Sequence, residues 1–190
     1  MSTRLVAITS PTCKTFDLNS LMTPRVVLIG PPGAGKTSIG RALAKSLKVD
    51  FADTDTLIEV DQGKSVSQIF IDEGEAYFRN IEERICLEAL KNKAGVLSLG
   101  GGAVLTPTVA EGLRKAGTKV IFLDVSLAVA APRIGFNRDR PLLLSNPRQK
   151  WQSLMDARRP VYESLATTKI EVEDRSVKNI VDEILSKIGI

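Results

Sequence analysis

The sequence predicts an α/β fold in which a parallel sheet of five strands is flanked by helices. The first observation is that short apolar, β-branched runs alternate along the chain with segments whose apolar residues recur at helical spacing. Such alternation is typical of a parallel sheet with helices on both faces. The second observation is that residues 30–37, between the first run and the first helical segment, read G-x-x-x-x-G-K-T, the pattern of a phosphate-binding P-loop.

The remaining elements follow from the same periodicities. The expected strands cover residues 26–29, 49–53, 96–99, 119–124 and 168–172. The expected helices cover residues 37–47, 56–60, 65–70, 75–91, 106–116, 126–134, 147–166 and 177–188. Pro107 suits the first position of a helix, whereas Pro160 should bend or break the helix that contains it. Ser65, followed three residues later by Gln68, resembles a capping box.

Residues 30–37 have the chemistry that a nucleotide phosphate requires. Their backbone amides can converge on phosphate oxygens at a helix N-terminus, which carries partial positive charge. Lys36 would reach the β- and γ-phosphates, and the hydroxyl of Thr37 would be a ligand of Mg²⁺. The alternative is a flexible turn before a helix, and the strand and helix on either side argue against it. The predicted nucleotide-binding residues of this stretch are Gly33, Ala34, Gly35, Lys36, Thr37 and Ser38.

Composition limits both the class of protein and its chemistry. The chain has 190 residues, of which 43% are hydrophobic and 25% charged, as in an ordinary globular domain. No apolar run approaches the roughly 20 residues of a membrane span. The two cysteines, Cys13 and Cys86, lack metal-ligand spacing, which fits a reducing cytosol. Histidine is absent from the chain, so the proton acceptor of a catalytic site must be a carboxylate, Lys, Tyr or Cys.

The net charge of +4 is concentrated in one segment. Residues 133–159 contain seven Lys or Arg residues and two Asp residues. This local excess favours an anion site over a general nucleic-acid surface, although a solvated basic helix face is the plain alternative. Within the segment, about residues 135–147 show no periodicity and carry Arg138 and Arg140, so we expect a lid that closes over phosphate.

Residues 1–21 show neither a clear periodicity nor the apolar segment of a signal peptide. We expect them to form a disordered extension, with Met22 as a candidate start. Residues 22–190 are expected to form a single domain.

Two carboxylates follow the second expected strand. Asp53 and Asp55 lie at its carboxyl end, and ligands of open α/β sheets bind beyond the carboxyl ends of the strands. One carboxylate can serve Mg²⁺ and the other can accept a hydroxyl proton. Because Asp also caps helices well, a cap for the following helix is the alternative, and one residue could do both.

Two further features favour a ligand. Arg79 lies in the first half of a helix, where the dipole favours acids, so we expect a partner, either a ligand anion or Glu82 and Glu83. Residues 100–102 are three glycines at the carboxyl end of the third strand. They would let a ligand approach the backbone closely, whereas a tight turn alone would need only one glycine.

A P-loop occurs in kinases, GTPases and hydrolysing ATPases, so other features must distinguish them. The chain lacks the N-K-x-D guanine signature, and it has no apolar run ending in Asp-Glu where a hydrolysing ATPase needs one. Small size and a basic lid favour a small-metabolite kinase, which must keep water away from the transferred phosphate.

In their order and spacing, the motifs resemble those of the shikimate kinase family. They are the P-loop, Asp53-Thr54-Asp55, Gly74-Glu75-x-x-Phe78-Arg79-x-x-Glu82, Leu99-Gly100-Gly101-Gly102-Ala103, Arg140-Pro141-Leu142-Leu143 and Arg158-x-Pro160-x-Tyr162. The resemblance extends from about Thr23 to the C-terminus. It implies a three-layer P-loop kinase fold with a lid loop. It also implies ATP and Mg²⁺ as cofactors, and phosphate transfer to the 3-hydroxyl of shikimate, in the pathway to chorismate and the aromatic amino acids.

The resemblance also implies roles for individual residues. Lys36, Asp55 and Arg140 would be catalytic, with Asp55 holding the hydroxyls of shikimate and accepting the proton. Arg79 and Arg158 would bind the carboxylate of shikimate in the bidentate geometry that arginine favours. Gly101 and Gly102 would contact shikimate through their backbone, and Arg133 and Arg140 would contact the nucleotide. Thr37 and Asp53 would hold Mg²⁺. A shikimate pocket within about residues 55–91 would be lined by Val66, Phe70 and Phe78.

Two rival functions stay open. A gluconate-type or nucleoside-monophosphate kinase is one, since a sugar acid also carries a carboxylate and hydroxyls. A non-catalytic nucleotide-sensing module is the other, but the intact set of Lys36, Thr37, Asp53 and Asp55 argues against a dead enzyme. A basic stripe interleaved with aromatic residues is absent from the sequence, which argues against nucleic acid. We expect a cytoplasmic monomer that acts on small molecules, with no membrane partner.

Overall fold

The computed structural model of the protein describes residues 24–134 and 147–189. Its strands are β1 (Pro24–Ile29), β2 (Phe51–Asp53), β3 (Gly95–Ser98), β4 (Lys119–Asp124) and β5 (Thr168–Glu171). All pair in parallel, and they form one sheet in the order β2-β3-β1-β4-β5. The predicted five-stranded parallel sheet is therefore confirmed.

Eight helices flank the sheet in the described residues. They are α1 (Lys36–Leu47), α2 (Thr54–Gln62), α3 (Val66–Asp72), α4 (Gly74–Asn92), α5 (Pro107–Lys115), α6 (Leu127–Ile134), α7 (Pro147–Leu165) and α8 (Val177–Ile188). A short 3-10 turn, Ala103–Leu105, which the periodicity did not predict, links β3 to α5. Because α1 packs against α8 while α5 packs against α4 and α7, the sheet lies between two groups of helices.

The central strand, β1, is apolar on both faces. Val26, Val27, Leu28 and Ile29 are at most 1% exposed, and β1 pairs with β3 on one side and β4 on the other. A strand covered on both faces reads as a continuous apolar run, because each alternate side chain meets a helical layer. The P-loop leaves the end of this strand, so the middle of the sheet fixes its position.

The boundary that matters most for the site lies between β2 and α2. The helix starts at Thr54, two residues before the expected start. Its N-cap is Asp53, whose Oδ1 accepts a hydrogen bond of 3.0 Å from the backbone N–H of Asp55. A carboxylate at this position satisfies a backbone donor that the first turn leaves unpaired. Asp55 therefore lies in the first turn of α2.

Two other local expectations meet different outcomes. Ser65 caps α3 by accepting from the N–H of Gln68 at 3.2 Å. The Gln68 side chain donates to Asp72 and does not return to Ser65, so only half of a capping box forms. Pro160 does not break its helix, because α7 continues to Leu165. Buried side chains on both sides of the proline, Trp151, Met155, Tyr162 and Leu165, hold that helix against the rest of the molecule.

The buried apolar residues form two clusters. The larger one includes the strands of the sheet, the inner faces of α1, α5, α7 and α8, and the second half of α4. The smaller one lies among the helices after β2 and consists of Ile58, Ile69, Phe78, Ile81 and Ile85. Helices α2, α3 and α4 thus have a small core of their own. In the described ranges, no helix is both long enough and apolar enough to cross a membrane.

Several expectations fall on other parts of the chain. The extension at residues 1–21 lies outside the described residues, and so does the lid with Arg138 and Arg140. Pro147, at the end of the expected lid, begins α7. The single-domain assignment for residues 22–190 stays a prediction.

Candidate functional site

The P-loop connects the end of β1 to the start of α1. Its last glycine, Gly35, is the N-cap of α1 and has a φ of +82°, a backbone conformation that favours glycine. The ammonium group of Lys36 turns back over the loop and donates to the carbonyl oxygens of Gly30 at 2.8 Å and Pro31 at 3.1 Å. The positive charge is thereby held above the helix N-terminus, where phosphate groups bind in proteins.

Two other elements contact the same loop. The indole N–H of Trp151 in α7 donates to the carbonyl oxygen of Pro32 at 3.1 Å. The guanidinium of Arg133, at the end of α6, makes a long hydrogen bond of 3.4 Å to the carbonyl oxygen of Gly33. The loop therefore accepts hydrogen bonds from side chains of α6 and α7. Its prolines take part only through their carbonyl oxygens, because they have no N–H to donate.

Asp53 has two distinct partners, one for each carboxylate oxygen. Oδ1 caps α2, and Oδ2 accepts a hydrogen bond of 2.8 Å from the hydroxyl of Thr37. The helix cap that the sequence offered as one alternative is therefore present, and the magnesium role of Asp53 stays a prediction. The contact brings a hydroxyl oxygen and a carboxylate oxygen together beside the P-loop.

A cavity of about 500 Å³ opens over the P-loop. We call it the P-loop cavity. Its lining combines the loop, the two acids after β2, the end of β3 and the start of α8. The residues are Pro32, Gly33, Gly35, Lys36, Thr37, Ser38, Ile39, Asp53, Asp55, Ser98, Leu99, Gly101, Arg133, Val172, Arg175, Val177 and Ile180.

Two of the three glycines after β3, Gly100 and Gly102, leave room for charged side chains. A Cβ on Gly100 would lie 2.7 Å from Oδ1 of Asp55 and 2.8 Å from Oε1 of Glu82, and a Cβ on Gly102 would overlap the guanidinium of Arg79. The N–H of Gly100 donates to the buried hydroxyl of Thr54 at 2.9 Å, which joins this loop to α2. A side chain at Gly100 or Gly102 would displace these charged groups, so the glycines allow a closer approach than a tight turn alone needs.

Arg79 is held by two acids of its own helix. It pairs with Glu82 at 2.6 Å and with Glu75 at 3.1 Å, whereas the side chain of Glu83 accepts from Thr108. Glu82 is buried, with 3% of its side chain exposed. Burial raises the pKa of Glu82, and the nearby charge of Asp55 adds to this, while Arg79 and Arg158 oppose it.

Consecutive arginines of α7 have different surroundings. Among the described residues, one buried side-chain nitrogen or oxygen atom has no hydrogen-bond partner. This atom is Nε of Arg158. A buried donor left unpaired is costly, so this atom suits a ligand oxygen. Arg159 instead makes a bidentate pair with Asp124 of β4, at 2.7 and 2.8 Å.

A second cavity, of about 300 Å³, lies beside the P-loop cavity. We call it the arginine cavity, because Arg79 and Arg158 both line it. Its other lining residues are Pro32, Asp55, Glu59, Val66, Ser67, Phe70, Phe78, Glu82, Gly101, Gly102, Trp151 and Leu154. The two cavities share Pro32, Asp55 and Gly101. Of the carboxylates that line either cavity in the described ranges, Asp55 is the one that lines both.

The structure brings the predicted site residues into these two adjoining cavities. Among the predicted site residues that the structure describes, all but Ala34 line at least one of the two cavities. Ala34 is buried within the P-loop. Val66, Phe70 and Phe78 line the arginine cavity as expected. Arg140 lies outside the described residues.

Four further lining residues had no predicted role. Glu82 was quoted only within a motif and as a partner of Arg79. Glu59 lies one helical turn after Asp55, and this spacing could have identified it. Trp151 is the single tryptophan of the chain, and no local pattern connects it to the P-loop. Arg175 lies between β5 and α8, outside the motifs quoted above.

The family model and the sequence relatives that match this chain are shikimate kinases. A family model described as shikimate kinase matches residues 32–189. A shikimate kinase of Rhodococcus jostii is 42% identical over 169 residues, 88% of this chain and 99% of that protein. One of Salinispora tropica is 46% identical over 163 residues, 86% of this chain and 96% of that protein.

Solved structures agree with the sequence relatives. A shikimate kinase from Acinetobacter baumannii in complex with shikimate superimposes with a TM-score of 0.83 at 36% identity, covering 88% of this chain and 94% of that one. The predicted P-loop kinase fold is confirmed by this likeness.

Proposed function

Because the chain belongs to the shikimate kinase family, we propose that its two adjoining cavities transfer the γ-phosphate of ATP to the 3-hydroxyl of shikimate. The product is shikimate 3-phosphate, on the pathway to chorismate and the aromatic amino acids. The observation that carries this proposal is the shared lining of the cavities. A nucleotide in the P-loop cavity and an acceptor in the arginine cavity would meet at Asp55 and Gly101.

On the nucleotide side, the P-loop amides and Lys36 hold the phosphates. Residues Gly33 to Ser38 surround them, and Lys36 would turn from the carbonyl oxygens of Gly30 and Pro31 to phosphate oxygens of higher charge. Arg133 would contact the adenine. Arg140, proposed from the family resemblance, would neutralise charge that develops on the transferred group.

The residues beside the P-loop fit a magnesium ion. Mg²⁺ prefers hard oxygen ligands and is commonly held by one or two protein groups together with substrate phosphates and water. The Thr37 hydroxyl and an Asp53 carboxylate oxygen, 2.8 Å apart, supply two such oxygens. When bound, the ion would neutralise and orient the β- and γ-phosphates.

On the acceptor side, the two arginines suit the carboxylate of shikimate. Nε of Arg158 is buried without a partner, and a carboxylate oxygen would satisfy it. Arg79 keeps Glu82 as a buried partner, while its second partner, Glu75, has 58% of its side chain exposed. We propose that the substrate carboxylate replaces Glu75, because an exposed pair contributes little. Gly101 and Gly102 would contact the substrate through their backbone.

Asp55 is the group best placed to handle the proton. It lines both cavities, whereas Asp53 lines only the P-loop cavity, and Glu59 and Glu82 line only the arginine cavity. Glu82 is also paired with Arg79 at 2.6 Å. Asp55 would therefore orient the 3-hydroxyl and accept its proton as the phosphate is transferred in line.

Three expectations from the sequence stay proposals. They are a single domain, a monomeric state and a cytoplasmic location. Cys86 is buried with a free thiol, and thiols of this kind are common in reducing compartments.

A coupled ADP-release assay tests the function. Purified protein with ATP and Mg²⁺ is given shikimate, gluconate, AMP or no acceptor, and the phosphorylated product is identified by mass spectrometry. We expect ADP release that depends on shikimate. Preference for gluconate or AMP would replace shikimate as the proposed acceptor. If no acceptor gives ADP release, a non-catalytic nucleotide-sensing module would be favoured.

A further inference from the structure

Tyr162 lies near two groups that are proposed to hold the acceptor, Arg158 and the Gly101–Gly102 backbone. It lies on α7 one helical turn after Arg158, and its side chain is fully buried. Its ring stacks against Phe122 of β4, with ring centroids 5.1 Å apart. Because a phenylalanine ring would pack in the same way, packing alone does not require the hydroxyl.

The hydroxyl of Tyr162 donates to the carbonyl oxygen of Gly101 at 2.5 Å. This carbonyl belongs to a run of glycines, in which no side chain restricts the backbone. In a trans peptide the C=O and the next N–H point in opposite directions, and the described residues contain no cis peptide. Fixing the Gly101 oxygen therefore fixes the N–H of Gly102, and both residues line the arginine cavity.

Arg158 acts on the protonation of the same hydroxyl. Burial raises the pKa of Tyr162 to about 12, while the charge of Arg158 and its hydrogen bond act in the opposite direction. At neutral pH the phenol keeps its proton. It can then donate to Gly101 and accept from Arg158 at once.

We propose that Tyr162 is a positioning residue whose hydroxyl aligns the Gly101–Gly102 peptide for the acceptor. It touches neither nucleotide nor acceptor itself. This inference rests on the proposed function, since it assigns the acceptor to the arginine cavity.

The test is Tyr162→Phe in the full chain, which removes only the hydroxyl. The matched control is Tyr77→Phe, the same change at the other tyrosine of the chain, whose exposed hydroxyl donates to Gln62. Loss of a buried hydrogen bond corresponds to a change of about three- to tenfold in an equilibrium constant. We expect the KM for shikimate to rise about fivefold in Tyr162→Phe, with the KM for ATP within about twofold of wild type. The control should match wild type in both.

Two outcomes would overturn the positioning role. One is a lower melting temperature with an unchanged KM for shikimate, which would make the hydroxyl merely structural. The other is an equal rise in both KM values. Failure of the wild-type chain to phosphorylate shikimate would instead refute the proposed function, so the two failures are distinguishable.

A second measurement covers the case in which Tyr162→Phe does not fold. The wild-type chain labelled with 3-fluorotyrosine has two tyrosine positions, and its fluorine resonances are assigned with labelled Tyr77→Phe. We expect shikimate to shift the Tyr162 resonance and to leave the Tyr77 resonance in place. A Tyr162 resonance that does not respond to saturating shikimate would contradict the proposal.

Discussion

Asp53 and Asp55 are separated by one residue, but they differ in the cavities that they line and in the partners of their side chains. Asp53 is committed to two partners, a helix cap and the Thr37 hydroxyl. Asp55, one step into the helix, lines both cavities. The strand turns directly into a helix between them, and this turn separates the carboxylate proposed for the metal from the carboxylate proposed for the acceptor.

Replacing Asp55 by Asn tests its role as proton acceptor. The change preserves shape but removes the basic oxygen, so we expect kcat to fall by about 10²- to 10⁴-fold with the KM for ATP little changed. Asp61→Asn is the control, because Asp61 lies on the same helix and pairs with Arg84 outside the cavities. Near wild-type turnover in Asp55→Asn would remove Asp55 from the mechanism.

Replacing Arg158 by Ala tests the carboxylate site. Hydrogen bonds to charged groups contribute about 1.5–3 kcal/mol, so the KM for shikimate should rise by roughly 10- to 100-fold while that for ATP changes little. Arg148→Ala, an exposed arginine of the same helix, should leave both unchanged. If both KM values rise together in Arg158→Ala, the side chain does not act on the carboxylate.

At the scale of elements, α7 connects the two halves of the site. Trp151 donates to the P-loop and Arg158 lines the arginine cavity. Tyr162 donates to Gly101, and Arg159 pairs with Asp124 on β4. The last contact sets how the helix lies on the sheet. Asp124 has 12% of its side chain exposed and also pairs with Lys169 at 2.9 Å. Burial alone would raise the pKa of Asp124, but the hydrogen bonds from Arg159 and Lys169 outweigh it and lower the pKa.

Asp124→Asn should therefore destabilise the fold. We expect a loss of about 2 kcal/mol, which corresponds to a fall in Tm of roughly 4–8 °C for a chain of this size. The lowered pKa of Asp124 contributes stability at pH values above the ordinary Asp pKa. The Tm difference from wild type should therefore be full at neutral pH and disappear progressively as the pH falls below about 4.

Glu163→Gln is the control for this pair. Glu163 contacts Arg159 and Lys169 at 3.5 Å with 46% of its side chain exposed, so its loss should cost less than about 1 kcal/mol. A Tm difference for Asp124→Asn that stays constant down to pH 2 would show that its charge is not what holds α7.

At the scale of the whole molecule, the two apolar clusters have unequal sizes. The sheet belongs to the large cluster, while α2, α3 and α4 share five buried residues of their own. Regions with few buried contacts open at lower free energy than the core. Helices α2 and α3, whose buried apolar residues all lie in the smaller cluster, should therefore be the more easily opened part of the described fold.

Hydrogen exchange followed by mass spectrometry tests this difference. Amides of α2 and α3 should exchange faster than those of β1, β3 and β4. Shikimate at about 100 times its Kd stabilises the bound form by about 2.7 kcal/mol, so exchange through opening of this site should slow roughly 100-fold. Gluconate at the same concentration should have no such effect. Uniform slowing over sheet and helices would mean that the molecule opens as one unit.

Much of this protein was predictable because its signals are local. The order of strands and helices, the P-loop and the acid pair all depend on neighbouring residues, and the cap at Ser65 and the proline at the start of α5 behave as local rules predict. Pro160 shows the limit of such rules. Its effect on α7 depends on the distant surfaces that hold the helix on both sides of it.

The sequence by itself determined the fold class, the phosphate loop and the residue types available for catalysis, since these follow from periodicity, spacing and the absence of histidine. The tertiary structure decided which of those residues meet. The long-range contacts decide that Arg158 faces the cavity while Arg159 binds Asp124, that Asp55 alone among the described lining carboxylates touches both cavities, and that Tyr162 reaches Gly101 across 61 positions of the chain. The physical reason is that a side chain's direction and partners depend on how helices pack on the sheet, which no short stretch of sequence specifies.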